Sequence, residues 1–185
     1  MLIRSSTELL FAKLRVYDVD QGAWEQEPNG IDVNSRHVLT HLSKDMIGKD
    51  FTNPELVQTA IAPDSVQYAL RLRRWASLPP VESSIPPEDS IKAAKQLKER
   101  LGKVPLHFAL FAEGTAELAR NLHDIDHEST RGSALRNRQN SIRKASWLLI
   151  NSANLQAATF RFDLVDAFDA RLASLREKSG IPEPN

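Results

Sequence analysis

Asp163-Leu164-Val165-Asp166-Ala167-Phe168-Asp169-Ala170-Arg171-Leu172-Ala173-Ser174-Leu175 reads as the opening of a helix and decides what kind of protein the chain encodes. Asp163 suits an N-cap, because its carboxylate can accept from the N–H groups that a first turn leaves unsatisfied. Val165, Phe168, Leu172 and Leu175 follow at steps of three and four, so they share one face. Gly180 and then Pro182 close the pattern, the glycine by admitting a left-handed cap and the proline by refusing to continue a helix.

The same grammar recurs outward from this stretch. A helix over residues 135–158 holds Trp147, Leu148, Leu149 and Ile150, and a polar loop over 129–133 separates it from a helix over 105–128. Another helix spans 88–101 with Gly102 as its C-cap. Nearer the start, Ser5 and Glu8 have capping-box spacing for a helix over 6–18. Gly22, Pro28, Asn29 and Gly30 mark a loop over 20–32, with Trp24 expected to pin it to the core. Asp32 or Asn34 is expected to cap a helix whose apolar face is Val38, Leu39, Leu42 and Met46, ending near Gly48. Asn53-Pro54-Glu55 restarts the chain in the order cap, first turn, first turn, and Pro63 predicts a kink or a fresh start before a helix that runs to about Ser77.

Strand signals are missing: there are only 7 glycines, no runs of β-branched residues and no Asn-Gly pair between alternating flanks. The expected fold is therefore an all-α helical bundle. Residues 79–87 contain four prolines and read as a semi-rigid connector between a first unit, 1–78, and a second, 88–185, packed against it. The two sides look alike in outline. Each has a helix opening on a histidine, His37 or His107, and each closes on a helix ending in glycine, after Leu97-Lys98-Glu99-Arg100-Leu101 or Leu175-Arg176-Glu177-Lys178-Ser179.

Composition narrows the function classes. Hydrophobic residues are 41% and charged residues 26% of 185, the profile of a chain that packs a core. Lys plus Arg equals Asp plus Glu at 24 each, so no overall field draws the protein to nucleic acid or an anionic membrane. With no cysteine, disulfides, thiolate metal sites and cysteine nucleophiles are excluded together. Arg4, Glu8 and Lys13 interrupt the apolar residues at the N-terminus, against a signal peptide. No apolar run approaches the roughly 18 residues of a membrane span. The expected location is the cytoplasm.

Arg36 to Lys49, which contains His37-Val38-Leu39-Thr40-His41-Leu42 and Ile47-Gly48-Lys49, followed by Ile61-Ala62-Pro63-Asp64-Ser65-Val66-Gln67-Tyr68-Ala69-Leu70-Arg71-Leu72, resembles the MazG-type nucleoside triphosphate pyrophosphohydrolases. Phe111-Ala112-Glu113-Gly114-Thr115-Ala116-Glu117-Leu118-Ala119 is similar to the acidic helix of that family, and Phe162 to Phe168 to the start of its closing helix. The resemblance covers about half of the chain and implies an all-α bundle that converts a nucleoside triphosphate to monophosphate and pyrophosphate. It implies Mg²⁺ held by carboxylates, here Asp64, Glu113, Glu117 and Asp124, of which Asp64 and Glu117 would be catalytic. Lys44 and Lys49 would lie near the phosphates. A homodimer is the arrangement of simpler members, which a duplicated chain would imitate. The sequence departs from the pattern where Lys44 and Lys49 replace expected carboxylates, where Gly114 fills an acidic slot, and where Ser146 stands in the position corresponding to Asp64. These departures carry the alternative, a non-catalytic binding or interaction protein on the same bundle.

By spacing alone, Glu113, Glu117, Asp124 and Glu128 form an acidic stripe opposite Phe108, Phe111, Leu118 and Leu122, which describes either a solvated face or a divalent-metal face. His37 with His41 and His123 with His127 are each four apart, the spacing of helical metal chelates and also of ordinary surface histidines. Leu122 to His127 also resembles the core of HD-domain phosphohydrolases, which would need His37 or His41 and Asp163 as further ligands. Arg71, Arg73 and Arg74, and Arg131, Arg136, Arg138, Arg143 and Lys144, are basic runs that suit phosphate or, more commonly, a solvated helix face. No clear nucleic-acid motif is present.

Overall fold

The computed structural model describes residues 2–22, 30–80, 88–127 and 131–180, and among these there are helices and no strands. Helices α1 (Leu2–Asp20) and α2 (Gly30–Gly48) precede a continuous rod in three parts. The rod opens with the single turn α3 (Pro54–Leu56), passes through a π-helical stretch (Val57–Ile61) and continues as α4 (Ala62–Trp75). Then come α5 (Glu88–Leu101), α6 (Leu106–His127), α7 (Arg131–Phe160) and α8 (Leu164–Ser179). The expected all-α bundle is the observed one.

The local signals explain most boundaries. Asn53 caps the rod by accepting from Leu56 N–H at 3.2 Å, and Asp163 caps α8 by accepting from Val165 and Asp166 N–H at 2.8 and 3.0 Å. Gly180 and Gly102 adopt φ of 67° and 73°, the left-handed conformation that ends a helix without a Cβ clash. Pro63 falls in the first turn of α4, where the fresh start was expected. Its ring needs room against the preceding turn, and the π-helical stretch supplies a wider turn there, with Ala62 N–H reaching back to Val57 O. Asp32 and Asn34 do not cap α2, which already begins at Gly30; α7 likewise begins at Arg131, inside the expected loop. Trp24, most of the Pro-rich connector and residues 128–130 lie outside the described residues.

Packing builds one core from both sides of the connector. α6 and α7 form an antiparallel hairpin in which Gly114 lies against Ala145, Leu148 and Leu149, and Ser152 Oγ donates to His107 O at 2.7 Å. α4 runs antiparallel to α7, joined by Arg73 Nη1 to Ser146 Oγ at 3.1 Å and by Gln139 Nε2 to Ala76 O at 3.0 Å. α2 rests on both α4 and α6, α8 covers α4, α1 lies on α8, and α5 lies on α6. Leu14 from α1, Leu42 from α2, Leu70 from α4, Phe111 from α6, Leu149 from α7 and Phe168 from α8 belong to the same apolar cluster. α1 and α8 run parallel, tied by Lys13 to Asp169 and Arg176 to Asp20, each at 2.6 Å, with Arg176 also over the Tyr17 ring. No helix among the described residues is long and apolar enough to cross a membrane.

Candidate functional site

Asp64 lies one residue past Pro63, in the first turn of α4, with its carboxylate only 7% exposed. The π-helical stretch and the following turn aim it at the junction of α2 and α8. From α8, Arg171 meets it as a two-toothed fork, Nε donating to Oδ1 and Nη2 to Oδ2, both at 2.8 Å. From the end of α2, Lys49 Nζ stands 3.6 Å from Asp64 Oδ2 and 2.8 Å from Asp45 Oδ1. Two carboxylates therefore face two cations. Burial works against the Arg171 charge, but the hydrogen bonds and the charge of Asp64 outweigh it and hold the guanidinium pKa above its ordinary value.

Aromatic and imidazole rings extend the cluster. His41 stacks on Tyr68 with ring centres 5.4 Å apart, and His37 meets His41 edge-on at 4.6 Å. Burial, with added repulsion from Asp64 and Asp45, pushes the Tyr68 hydroxyl up to about 12, so at neutral pH it is a neutral donor and not a base. Burial and the neighbouring His37 push His41 down, against the pull of Asp45 and Asp64.

The other expected site residues fall elsewhere. Lys44 is exposed on a different face of α2, beside Thr40, Ser43 and Ile47, so of the two lysines only Lys49 reaches Asp64. Glu113 and Glu117 are bridged by Arg120 Nη2, 2.7 Å from each, and their side chains are 14% and 15% exposed. They do not form a freely solvated stripe. The side chain of Asp124 lies outside the described residues, as does that of His127. Among the described residues no three His, Asp or Glu side chains come together to hold a metal ion, so Asp64 is not gathered with Glu113 and Glu117 into one centre.

Packing between helices fixes the surroundings of Gly114 and Ser146. A Cβ on Gly114 would sit 3.2 Å from Ala145 O, Leu148 Cβ and Leu149 Cγ, so α7 occupies the space an acidic side chain would need. Ser146, at the position matched to Asp64, is fully buried, accepts from Arg73 and donates to Arg143 O at 3.1 Å. Asp64 thus receives Arg171 from α8, and Ser146 receives Arg73 from α4.

Of the HD-type residues, Asp124 and His127 have side chains outside the described residues. His107 is buried, its Nε2 bonded to Phe51 O at 3.1 Å, and the Asp163 carboxylate is taken by the α8 cap. The first basic run is largely internal: Arg71 forks onto buried Asp18 and Arg73 is 3% exposed. Sequence reasoning missed Arg171, Arg120 and Arg73 as partners. The available signal was an arginine on or beside an apolar helix face, as with Arg171 next to Leu172.

Comparison with protein-family models, curated proteins and solved structures returns no match for this chain.

Proposed function

We propose that the chain is a MazG-like helical bundle that binds a ligand without hydrolysing it, with ion pairs where a hydrolase would hold its metal. The observation that carries this reading is the Arg171 fork on Asp64, which already satisfies both oxygens of that carboxylate. A metal ligand must offer a free lone pair, and a carboxylate already engaged by a guanidinium fork, with an ammonium nearby, is a poorer ligand for a hard cation. The expected setting is the cytoplasm, in keeping with the cysteine-free sequence.

One observation favours the hydrolase instead. Glu113 and Glu117 are one turn apart and mostly covered, and the partner they share, Arg120, is 54% exposed and able to swing away. In that reading Glu113 and Glu117 would hold Mg²⁺ once Arg120 moved aside, Lys49 would contact phosphate, and the metal would assist hydrolysis of a nucleoside triphosphate to monophosphate and pyrophosphate. Pyrophosphate release from a nucleotide panel with Mg²⁺ or Mn²⁺ separates the two. No release is expected. Release that Glu117→Gln abolishes would overturn the binding-only reading.

A further inference from the structure

A groove of about 580 Å³ runs between the π-helical stretch and α8, with Gln58 and Ala60 on one wall and Asp166, Ala170, Arg171 and Lys178 on the other. Its size falls within the range of about 300 to 1,000 Å³ typical of small-molecule sites. Arg171 has five N–H donors, of which its bonds to Asp64 use two, and no further acceptor for it occurs among the described residues. Lys178 is two turns along the same helix face, about 10 Å away, exposed and without a carboxylate partner among the described residues. Ser174, between the two cations on the helix, is small, and Ala170 keeps the groove open on the other side of Arg171.

The groove is polarised. Asp166 stands toward the N-terminal end of α8, about 18 Å from Lys178 along the axis, and its carboxylate repels anions but accepts from hydroxyls. Gln58 is exposed on the opposite wall and can both donate and accept. A ligand that satisfies both ends carries its negative charge toward Arg171 and Lys178 and a neutral, hydroxyl-bearing body toward Asp166. Two cations suit a phosphate dianion, and a guanidinium suits its oxygens.

We propose that this groove binds a small phosphate monoester with a hydroxyl-bearing body, oriented with its phosphate between Arg171 and Lys178. The proposal names the ligand class of the binding reading and rests on it only in requiring that the Asp64–Arg171 pair be in place.

Isothermal titration of the intact chain with ribose 5-phosphate, ribose and inorganic phosphate tests it. Ribose 5-phosphate is expected to bind at least tenfold more tightly than inorganic phosphate, and ribose not to bind. Lys178→Ala should weaken ribose 5-phosphate at least tenfold, Ala170→Leu should abolish its binding by filling the groove, and Lys103→Ala, an exposed lysine on another part of the chain, should change nothing. Asp166→Ala should erase the preference over inorganic phosphate. If Ala170→Leu fails to fold, Lys178→Glu carries the same test from an exposed position. Absence of ribose 5-phosphate binding, equal affinity for inorganic phosphate, or binding indifferent to both Lys178 variants overturns the proposal. Pyrophosphate release measured on the same preparation overturns only the binding-only reading, so the two failures are distinguishable.

Discussion

Arg171 and Asp64 lie 107 residues apart in sequence and meet through two parallel hydrogen bonds of 2.8 Å, so the last helix is locked to the rod just past its π-helical stretch. Both side chains are largely withdrawn from water, at 21% and 7% exposed. Breaking one member of such a pair leaves a charge desolvated, and the cost is set more by that orphan than by the bond itself. Lys49, 3.6 Å from Asp64, compensates in part.

Arg171→Met is therefore expected to lower stability by about 3 kcal/mol, and Asp64→Asn by a similar amount. The double variant should lose less than the sum of the two, by about 1 kcal/mol or more. Urea unfolding of the four proteins measures this, and strict additivity would show that the pair is not coupled.

Gly114 offers a second test, because two effects oppose each other there. Replacing a helical glycine by alanine gains about 1 kcal/mol of helix propensity. The new Cβ would, however, stand 3.2 Å from a backbone carbonyl and from two leucines that are themselves fully buried on α7. Overpacking of that kind costs about 1 to 3 kcal/mol. Gly114→Ala should thus be destabilising, and Gly114→Glu far more so. A thermal midpoint raised by Gly114→Ala would mean that α6 and α7 part easily.

Much of the fold was legible because its signals are local. Asn53, Asp163, Gly102 and Gly180 act through neighbours a few residues away, and the periodic apolar faces of α4 and α8 need only one helix to be seen. The π-helical turn was not legible, since Pro63 announces a conflict with the helix but not which of several resolutions the tertiary packing selects. At the candidate site, Asp64 and Lys49 were visible as residue types in a pattern, and the structure places them together. Arg171 was not, because nothing in the α8 pattern says which of its faces meets α4. Arg120 was hidden for another reason: a residue three after Glu117 and seven after Glu113 reads as routine helix-surface pairing, and only the covered state of both glutamates makes it informative.

Stability should depend on pH through buried histidine. His107 is enclosed at the start of α6, bonded to Phe51 O and edge-on to Phe160. Burial lowers its pKa below 6.5, and the bond to Phe51 recovers only part of the shift. His41 is displaced the same way, by burial and by His37. The unfolded chain therefore binds protons near its ordinary value of about 6.5, while the fold still holds these rings neutral. Their contribution is complete above about 6.5 and is lost as pH falls through the lower folded values. The denaturation midpoint should hold steady from pH 8 to 7 and decline below 6.5, and His107→Gln, which keeps a donor for Phe51 O, should make the decline shallower. An unaltered profile in a His41→Gln/His107→Gln double variant would place the responsible protons elsewhere.

The closing helix supplies the last expectation. Phe168 and Leu172 sit one turn apart on α8, 0% and 6% exposed, in the same cluster as Leu70 from α4 and Leu14 from α1. Leu172→Ala removes buried methyl groups from this shared cluster and leaves a void, so a loss of about 2 to 5 kcal/mol is expected. That is a large part of a typical total of about 5 to 15 kcal/mol. Deleting everything after Asp163 removes more: the Phe168 and Leu172 side chains, the Arg171 fork and both cross-links to α1, at Lys13 and Asp20. Asp64 would then stand with Lys49 alone, and α1 would lose the helix it lies on. The truncated chain should be insoluble or lack a cooperative transition in calorimetry. A soluble, monomeric product that still melts in one sharp step would show that α8 is an appendage and that the bundle closes without it.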